Sequence, residues 1–495
     1  MPTPVQPARR MSAMDASFFN LERTGQLLHI AGVYTVEGRL DFERLQRELS
    51  ERLHLLPRYT QRVVEVPFGL AHPTWEDDPT FSIRNHVFRH SLRPPGDDAQ
   101  LSKLASRLFA EPLDRARPLW ELHQIDGYRG DRSVLFGKVH HAMVDGVSGV
   151  HILGLIFDPS PKPGSFPPAP PAAAPRPLPS WLMQLAEGVR EEIEREVSLA
   201  RGLAGLVRHP TRLFAELAQV GDALGEMLRL VVAGVPPTPF NGHVSTLRSV
   251  HWTTFDLNHV KGIKNRLGGT VNDVVLATIA TALRGYLEEH GVQPDGLELR
   301  AMVPVNLRGA AEGSALGNRI SMMAAPLPVG IHDPLERLRQ VRAGMAALKG
   351  GGQPARMTRA LEVVELLPPF LQRPLAWLNF QGAPVNTVCT NVPGPPVSLY
   401  AQGMRLETLV PIVPLTQGVG LAFAILSYAD TLTIGVSADP ALVPDGDVIV
   451  ELLREAYEEF RALAGVEQVT IRTSPLPPER VRRRLGGAEQ ASGPR

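Results

Sequence analysis

The stretch "DPSPKPGSFPPAPPAAAPRPLPS", residues 158–180, constrains the fold of this chain more than any other. Proline has no backbone N–H and fixes φ, so a segment this rich in proline forms neither a helix nor a central strand. It reads as an extended, semi-rigid linker. Residues 1–157 before it mix two periods: "LLHIAGVYTVEG" and "DRSVLFGKVHH" read as strands, "DFERLQRELSERLHLLP" as a helix. Helical spacing dominates 181–244 after it. From 245 to 472 strands and helices alternate again, and 473–495 reads as a disordered tail. The expected class is α/β (α+β), with two halves joined by linker and crossover helices. No internal repeat is visible.

Composition excludes several functions. Over 495 residues the formal charge is zero, so no global field favours nucleic acid. The single cysteine, Cys389, rules out an internal disulfide and any cysteine-based metal cluster, which suits a reducing cytoplasm. "MPTPVQPARRMSAMD" has a basic pair with no apolar core behind it, so no secretory signal is expected. The apolar run 410–428 reaches membrane-spanning length, but Pro411, Pro414, Gly418 and Gly420 interrupt it. The following "ADTLTIGVSADP" reads as a turn and a further strand, so buried strands are expected rather than a span. Leu182, Leu185, Val189, Ile193 and Val197 recur at helical spacing, with charges between them. Two readings stand for 181–232: a crossover helix pair packed on the body, or a surface that touches lipid at a membrane or inclusion.

The chemistry gathers in "KVHHAMVDGVSG", 138–149. Strand alternation sends Val134, Phe136, Lys138 and His140 to one face and Leu135, Gly137, Val139 and His141 to the other. Adjacent histidines therefore diverge, which argues against one metal ion held by both. No HExxH spacing and no G-x-S-x-G elbow occurs, and Ser148 sits in the wrong context. A lone Cys389 with apolar flanks is more simply a core residue. A histidine acting as general base, and a pair of satisfied structural histidines, both remain open at this level.

"HHAMVDG" matches the HHxxxDG motif of acyltransferases that use coenzyme A or carrier proteins, a superfamily including chloramphenicol acetyltransferase and condensation domains. Further landmarks follow in order: "MSAMDASFF", "RPLWELHQIDG", "PPTPFNG", "TVNDVVLA", "MVPVNLR", "LGNRIS", "TNVPGP" and "ILSYADTLTIGVSADP". Together they resemble the bacterial wax ester synthase/diacylglycerol acyltransferase family over about residues 11–465. Asp430 where glycine is usual, and Leu28 where methionine is usual, depart from the pattern away from the motif.

The resemblance implies two chloramphenicol-acetyltransferase-like domains with a tunnel at their interface. It implies fatty acyl-CoA as donor, diacylglycerol or a long-chain alcohol as acceptor, and no metal or resident cofactor. His141 would be the base and His140 mainly structural. Asp145 would brace the loop through an arginine, with Arg308 the candidate, and Gly146 would permit the turn. Asn272 and Asp273 of the "ND" pair, Asn391 of "TNVPGP", and Pro118, Leu119 and Trp120 are the expected supports. For Asn272 and Asp273 a capping role, for Asn391 a simple strand-to-turn role, and for Trp120 a core role, stand beside the functional one. A relative acylating a polyketide or sugar alcohol, and a non-catalytic lipid-binding protein, are the alternatives.

Overall fold

A computed structural model describes residues 10–22, 26–143, 153–162, 164, 180–190, 193, 234–306, 320–350 and 385–466. The elements before the linker are α1 (Ala13–Leu21), β1 (His29–Val36), α2 (Phe42–Arg52), β2 (Gln61–Val64), β3 (Thr74–Asp77), β4 (Val87–Ser91), α3 (Asp98–Ala110), β5 (Trp120–Tyr128) and β6 (Arg132–His140). Those from 249 on are β7 (Ser249–Asp256), α4 (Leu257–Leu267), α5 (Val271–Glu289), β8 (Leu299–Asn306), β9 (Ile320–Leu327) and α6 (Pro334–Gly350). They continue with β10 (Thr387–Pro393), β11 (Tyr400–Ala401), β12 (Met404–Ile412), β13 (Leu421–Tyr428), β14 (Thr431–Ala438) and α7 (Gly446–Leu463).

Local signals account for many boundaries. The side chains of Asp41 and Asp97 accept the N–H groups of Arg44 and Gln100, capping α2 and α3. Helix α5 begins with a full capping box: Thr270 Oγ1 accepts from the Asp273 N–H, and the Asp273 carboxylate accepts from the Thr270 N–H. It ends at Glu289, and Gly291, with φ +71°, turns the chain away. The apolar run 410–428 resolves into the end of β12 and the whole of β13, which forms a hairpin with β14.

Two six-stranded mixed sheets organise the fold, ordered β11-β12-β1-β6-β5-β4 and β7-β14-β13-β10-β8-β9. The first crosses the boundary between the halves. Strand β12 pairs antiparallel with β1 from Ala31↔Ile412 to Val36↔Leu406, so residues 400–412 complete the sheet built by the N-terminal half. Where β12 passes β14 of the second sheet the backbones nearly touch: a Cβ on Gly435 would lie 1.9 Å from the Pro411 oxygen. Only glycine fits there.

Helix α3 forms a second link between the halves. Ser102 Oγ donates to Val250 O at 2.5 Å, and Ser106 Oγ accepts from Val250 N–H at 2.9 Å, so one turn of α3 covers the edge of β7. Leu101, Leu108, Val33, Phe136, Val250 and Ile412 pack behind these bonds as a single core cluster drawn from both halves. In the second half, Asn241 of "PPTPFNG" and the buried Asn386 bind each other's polar groups, fixing the approach to β10. Among the described residues no helix is long and apolar enough to cross a membrane.

Candidate active site

Strand β6 delivers the histidine pair from the middle of the first sheet, between β1 and β5. Its neighbours hold its end on both sides: His140 N–H donates to Leu119 O and His141 N–H to Leu28 O, each at 2.9 Å. The chain then leaves the sheet in a short 3-10 turn, His141–Met143.

The two imidazoles have different surroundings. The His141 ring stacks on Phe18 of α1, with centroids 4.0 Å apart. Its Nδ1 is buried with no side-chain partner among the described residues, and no hydrogen bond joins Nε2 to a described residue. Burial, then the neighbouring His140, lowers its pKa to about 4, so His141 is neutral at physiological pH. A neutral ring whose Nε2 meets no described donor or acceptor has the protonation state a base needs. His140 is fully buried, edge-on to Phe19. Its Nδ1 accepts the Ala142 N–H at 3.0 Å, and its Nε2 faces Glu22 Oε2 at 3.5 Å. Burial pushes the Glu22 carboxyl upward, but His140 and Arg115 outweigh it and hold the pKa at about 2.

A second set of charges lies one residue pair back along β6. Lys138 is 1% exposed, and its Nζ donates to Leu108 O in the last turn of α3 and to Glu111 O just beyond it, at 3.0 and 2.9 Å. The same ammonium meets Glu121 Oε2 at 2.9 Å across the β5–β6 ladder. His123 Nε2 approaches that carboxylate at 3.2 Å. Burial raises the Glu121 pKa, but His123 and Lys138 together bring it down to about 2. On β1, His29 Nε2 donates to Phe109 O at 2.6 Å, and burial with the Lys138 charge lowers its pKa to about 3. The C-terminus of α3, where carbonyls concentrate negative potential, is thus held by cross-strand neighbours of the motif.

The remaining expected residues divide. Leu119 lends its carbonyl to His140, and Trp120 Nε1 donates to Tyr59 O while its ring stacks on His86. Pro118, Leu119 and Trp120 are all buried beside the motif. Asn391 Nδ2 donates to Asn272 Oδ1 at 3.0 Å, joining β10 to the start of α5. Asp273 is occupied by its cap, and no hydrogen bond among the described residues joins Asn272, Asp273 or Asn391 to His141. Asp145, Gly146, Ser148 and Arg308 lie outside the described residues, as does most of 181–244. Phe18, Glu22, Arg115 and Lys138 were not among the expected site residues. Phe18 lies in the landmark "MSAMDASFF" and Lys138 is an isolated charge inside an apolar stretch, whereas Glu22 and Arg115 carry no such signal. No group of three or more potential metal ligands converges among the described residues.

The two mixed sheets, with an HHxxxDG histidine at the end of a central strand, define an acyltransferase of the chloramphenicol-acetyltransferase type. Residues 11–275 match the wax ester synthase/diacylglycerol acyltransferase catalytic domain, and 316–461 match that family's C-terminal domain. The chain belongs to the wax ester synthase/diacylglycerol acyltransferase family. A protein of Mycobacterium tuberculosis named as a diacylglycerol O-acyltransferase is 31% identical over 486 residues, covering 92% of each chain. Among solved structures, the wax ester synthase/diacylglycerol acyltransferase of Marinobacter aquaeolei shares the fold. Its TM-score is 0.66 at 23% identity, over 93% of this chain and all of that one. The starter condensation domain of rhizomide synthetase, solved with C8-CoA, aligns with a TM-score of 0.54 at 14% identity, over 92% and 94% of the two chains.

Proposed function

We propose that this enzyme transfers a long-chain fatty acyl group from acyl-CoA to the hydroxyl of a diacylglycerol or long-chain alcohol, with His141 as general base. Membership of the family supports the reaction class. The observation that carries the residue assignment is His141 itself, neutral, stacked on Phe18, with Nε2 unclaimed by any described residue. In this reading Nε2 takes the acceptor's hydroxyl proton as that oxygen attacks the thioester carbonyl. The tetrahedral intermediate then expels the coenzyme A thiolate, which receives the proton from His141 Nε2, leaving an ester and free coenzyme A.

A base with a pKa near 4 is almost wholly deprotonated at pH 7, yet it pulls weakly on an alcohol proton. The depression comes chiefly from burial, which penalises the imidazolium. A tetrahedral oxyanion forming beside the ring offsets that penalty when the proton arrives. General-base assistance contributes about 10² to 10⁴-fold, so alignment of donor and acceptor must supply a similar or larger share.

Access to lipid-borne substrates fits the surface of the 181–190 helix, where Trp181, Leu182 and Met183 are more than half exposed. In this reading that helix touches an inner-membrane or inclusion surface from the cytoplasmic side. Thiol release from palmitoyl-CoA, measured with diacylglycerol, hexadecanol and no acceptor, tests the reaction. Acceptor-dependent release that falls at least about 100-fold in His141→Ala is expected. Full ester synthesis by that variant would remove His141 from the mechanism, and no ester from either acceptor would remove the substrate assignment.

A further inference from the structure

We infer that Glu22, paired with Arg115, is a positioning residue that sets the tautomer of His140 and thereby the backbone that presents His141. The inference rests on the reading of His141 as base and adds what holds that base in place.

Two hydrogen bonds flank His141, and both lead back to one carboxylate. On one side, His141 N–H donates to Leu28 O at 2.9 Å, and Leu28 N–H donates to Glu22 Oε1 at 3.3 Å. On the other, Ala142 N–H donates to His140 Nδ1 at 3.0 Å, and the opposite nitrogen of that ring faces Glu22 Oε2 at 3.5 Å. An imidazole nitrogen that accepts a hydrogen bond carries no proton, so a neutral His140 must be protonated at Nε2. Glu22 is the only described acid facing that nitrogen. It selects the tautomer whose Nδ1 can hold the turn. The other tautomer would set two donors, Nδ1–H and Ala142 N–H, against each other.

Arg115 keeps the carboxylate aimed. Its Nε and Nη2 donate to Glu22 Oε2 at 3.2 and 2.9 Å, Nη2 also donates to Phe19 O at 2.8 Å, and the guanidinium lies 4.1 Å from the Phe19 ring centroid. Helix α1 therefore reaches the base twice, through Phe18 stacked on its ring and through Glu22 at its backbone. Glu22 is 7% exposed at the side chain, so solvent cannot replace it. A glutamine there places an amide N–H₂ among three sets of donors and cannot satisfy all of them.

The test combines kinetics with a tautomer readout on the full-length protein. In ¹⁵N-histidine spectra, His140, assigned through His140→Asn, should report an Nε2–H tautomer in the wild type and lose that signature in Glu22→Gln. In the thiol-release assay with palmitoyl-CoA, Glu22→Gln should lower kcat by about 10-fold or more with KM within about two-fold, since alignment of the base is lost and ground-state binding is kept. Asn Oδ1 occupies the position of His Nδ1, so His140→Asn should retain more kcat than His140→Leu. The Glu22→Gln loss should shrink on the His140→Asn background. Should Glu22→Gln fail to fold by circular dichroism, Arg115→Gln makes the same test, with the same expected loss of kcat. Wild-type kcat in both carboxylate-arm variants, equal losses on both backgrounds, or an Nδ1–H tautomer in the wild type would each overturn the proposal. The tautomer reading holds for any substrate, so a wild type inactive on both acceptors would count against the function and leave this inference standing.

Discussion

The depressed pKa of His141 links catalysis to stability, and replacing the residue exposes that link. The unfolded histidine titrates near 6.5 and the folded one near 4, so below pH 6.5 the unfolded state binds the extra proton. Stability then rises with pH across the window from about 4 to 6.5, and at neutral pH the group adds no pH dependence. At pH 4.5 the linkage amounts to about 2–3 kcal/mol, and it levels off below pH 4. In His141→Asn that contribution disappears, whereas those of His29, His86, His90 and His251 are common to both proteins and cancel in the difference. Urea unfolding of the pair at pH 7.5, 5.5 and 4.5 should show the variant gaining about 2–3 kcal/mol relative to wild type from the highest pH to the lowest. The acid limb of kcat/KM in the wild type should fall below pH 5. A stability difference that stays flat across the series, or an acid limb near 6.5, would mean the ring is solvated and the depressed base is an error.

Two further substitutions probe the frame around the site. Lys138→Met leaves the Glu121 carboxylate and the Leu108 and Glu111 carbonyls without their shared cation. It should cost about 3–5 kcal/mol in thermal or urea unfolding, whereas Lys138→Met with Glu121→Gln should recover much of the loss. Gly435→Ala drives a Cβ into the Pro411 carbonyl where the two sheets cross, which backbone cannot relieve by a rotamer change. A loss of about 1–3 kcal/mol is expected, and an unchanged urea midpoint would show that the sheets part freely.

Features with local causes were legible in the sequence. Helix α5 announces itself through Thr270, Asp273 and Gly291, all within its own span, and the β13–β14 hairpin follows from two apolar runs around a turn. What the sequence could not show depends on distant pairing. Strand β12 reads as a partly buried strand, yet nothing in residues 404–412 indicates that its partner is β1. Glu22 reads as one acid at the end of a short helix. Only folding brings it to Arg115, 93 residues on, and to His140. Asn272 illustrates the limit from the other side: its neighbour Asp273 was readable as a cap, whereas its bond to Asn391 spans 119 residues.

The insertion of β12 has a consequence for how the chain can be divided. The Pro-rich linker invites cutting the protein into two folding halves, and a fragment of residues 1–244 contains β1, β4, β5, β6 and α1–α3. It lacks the strand paired with β1 over Ala31–Val36. That edge would present the free N–H and C=O groups of six residues, mostly apolar, beside core positions that Val410 and Ile412 normally fill. An open apolar edge recruits other chains. The fragment should therefore aggregate when produced alone and become soluble when co-expressed with residues 245–495, which bring β11 and β12. The same argument places His141 on a sheet completed only by the other half, so neither half should show acyl transfer by itself. A monomeric, cooperatively folding 1–244 fragment would refute this, because it would mean that β1 tolerates an unpaired edge.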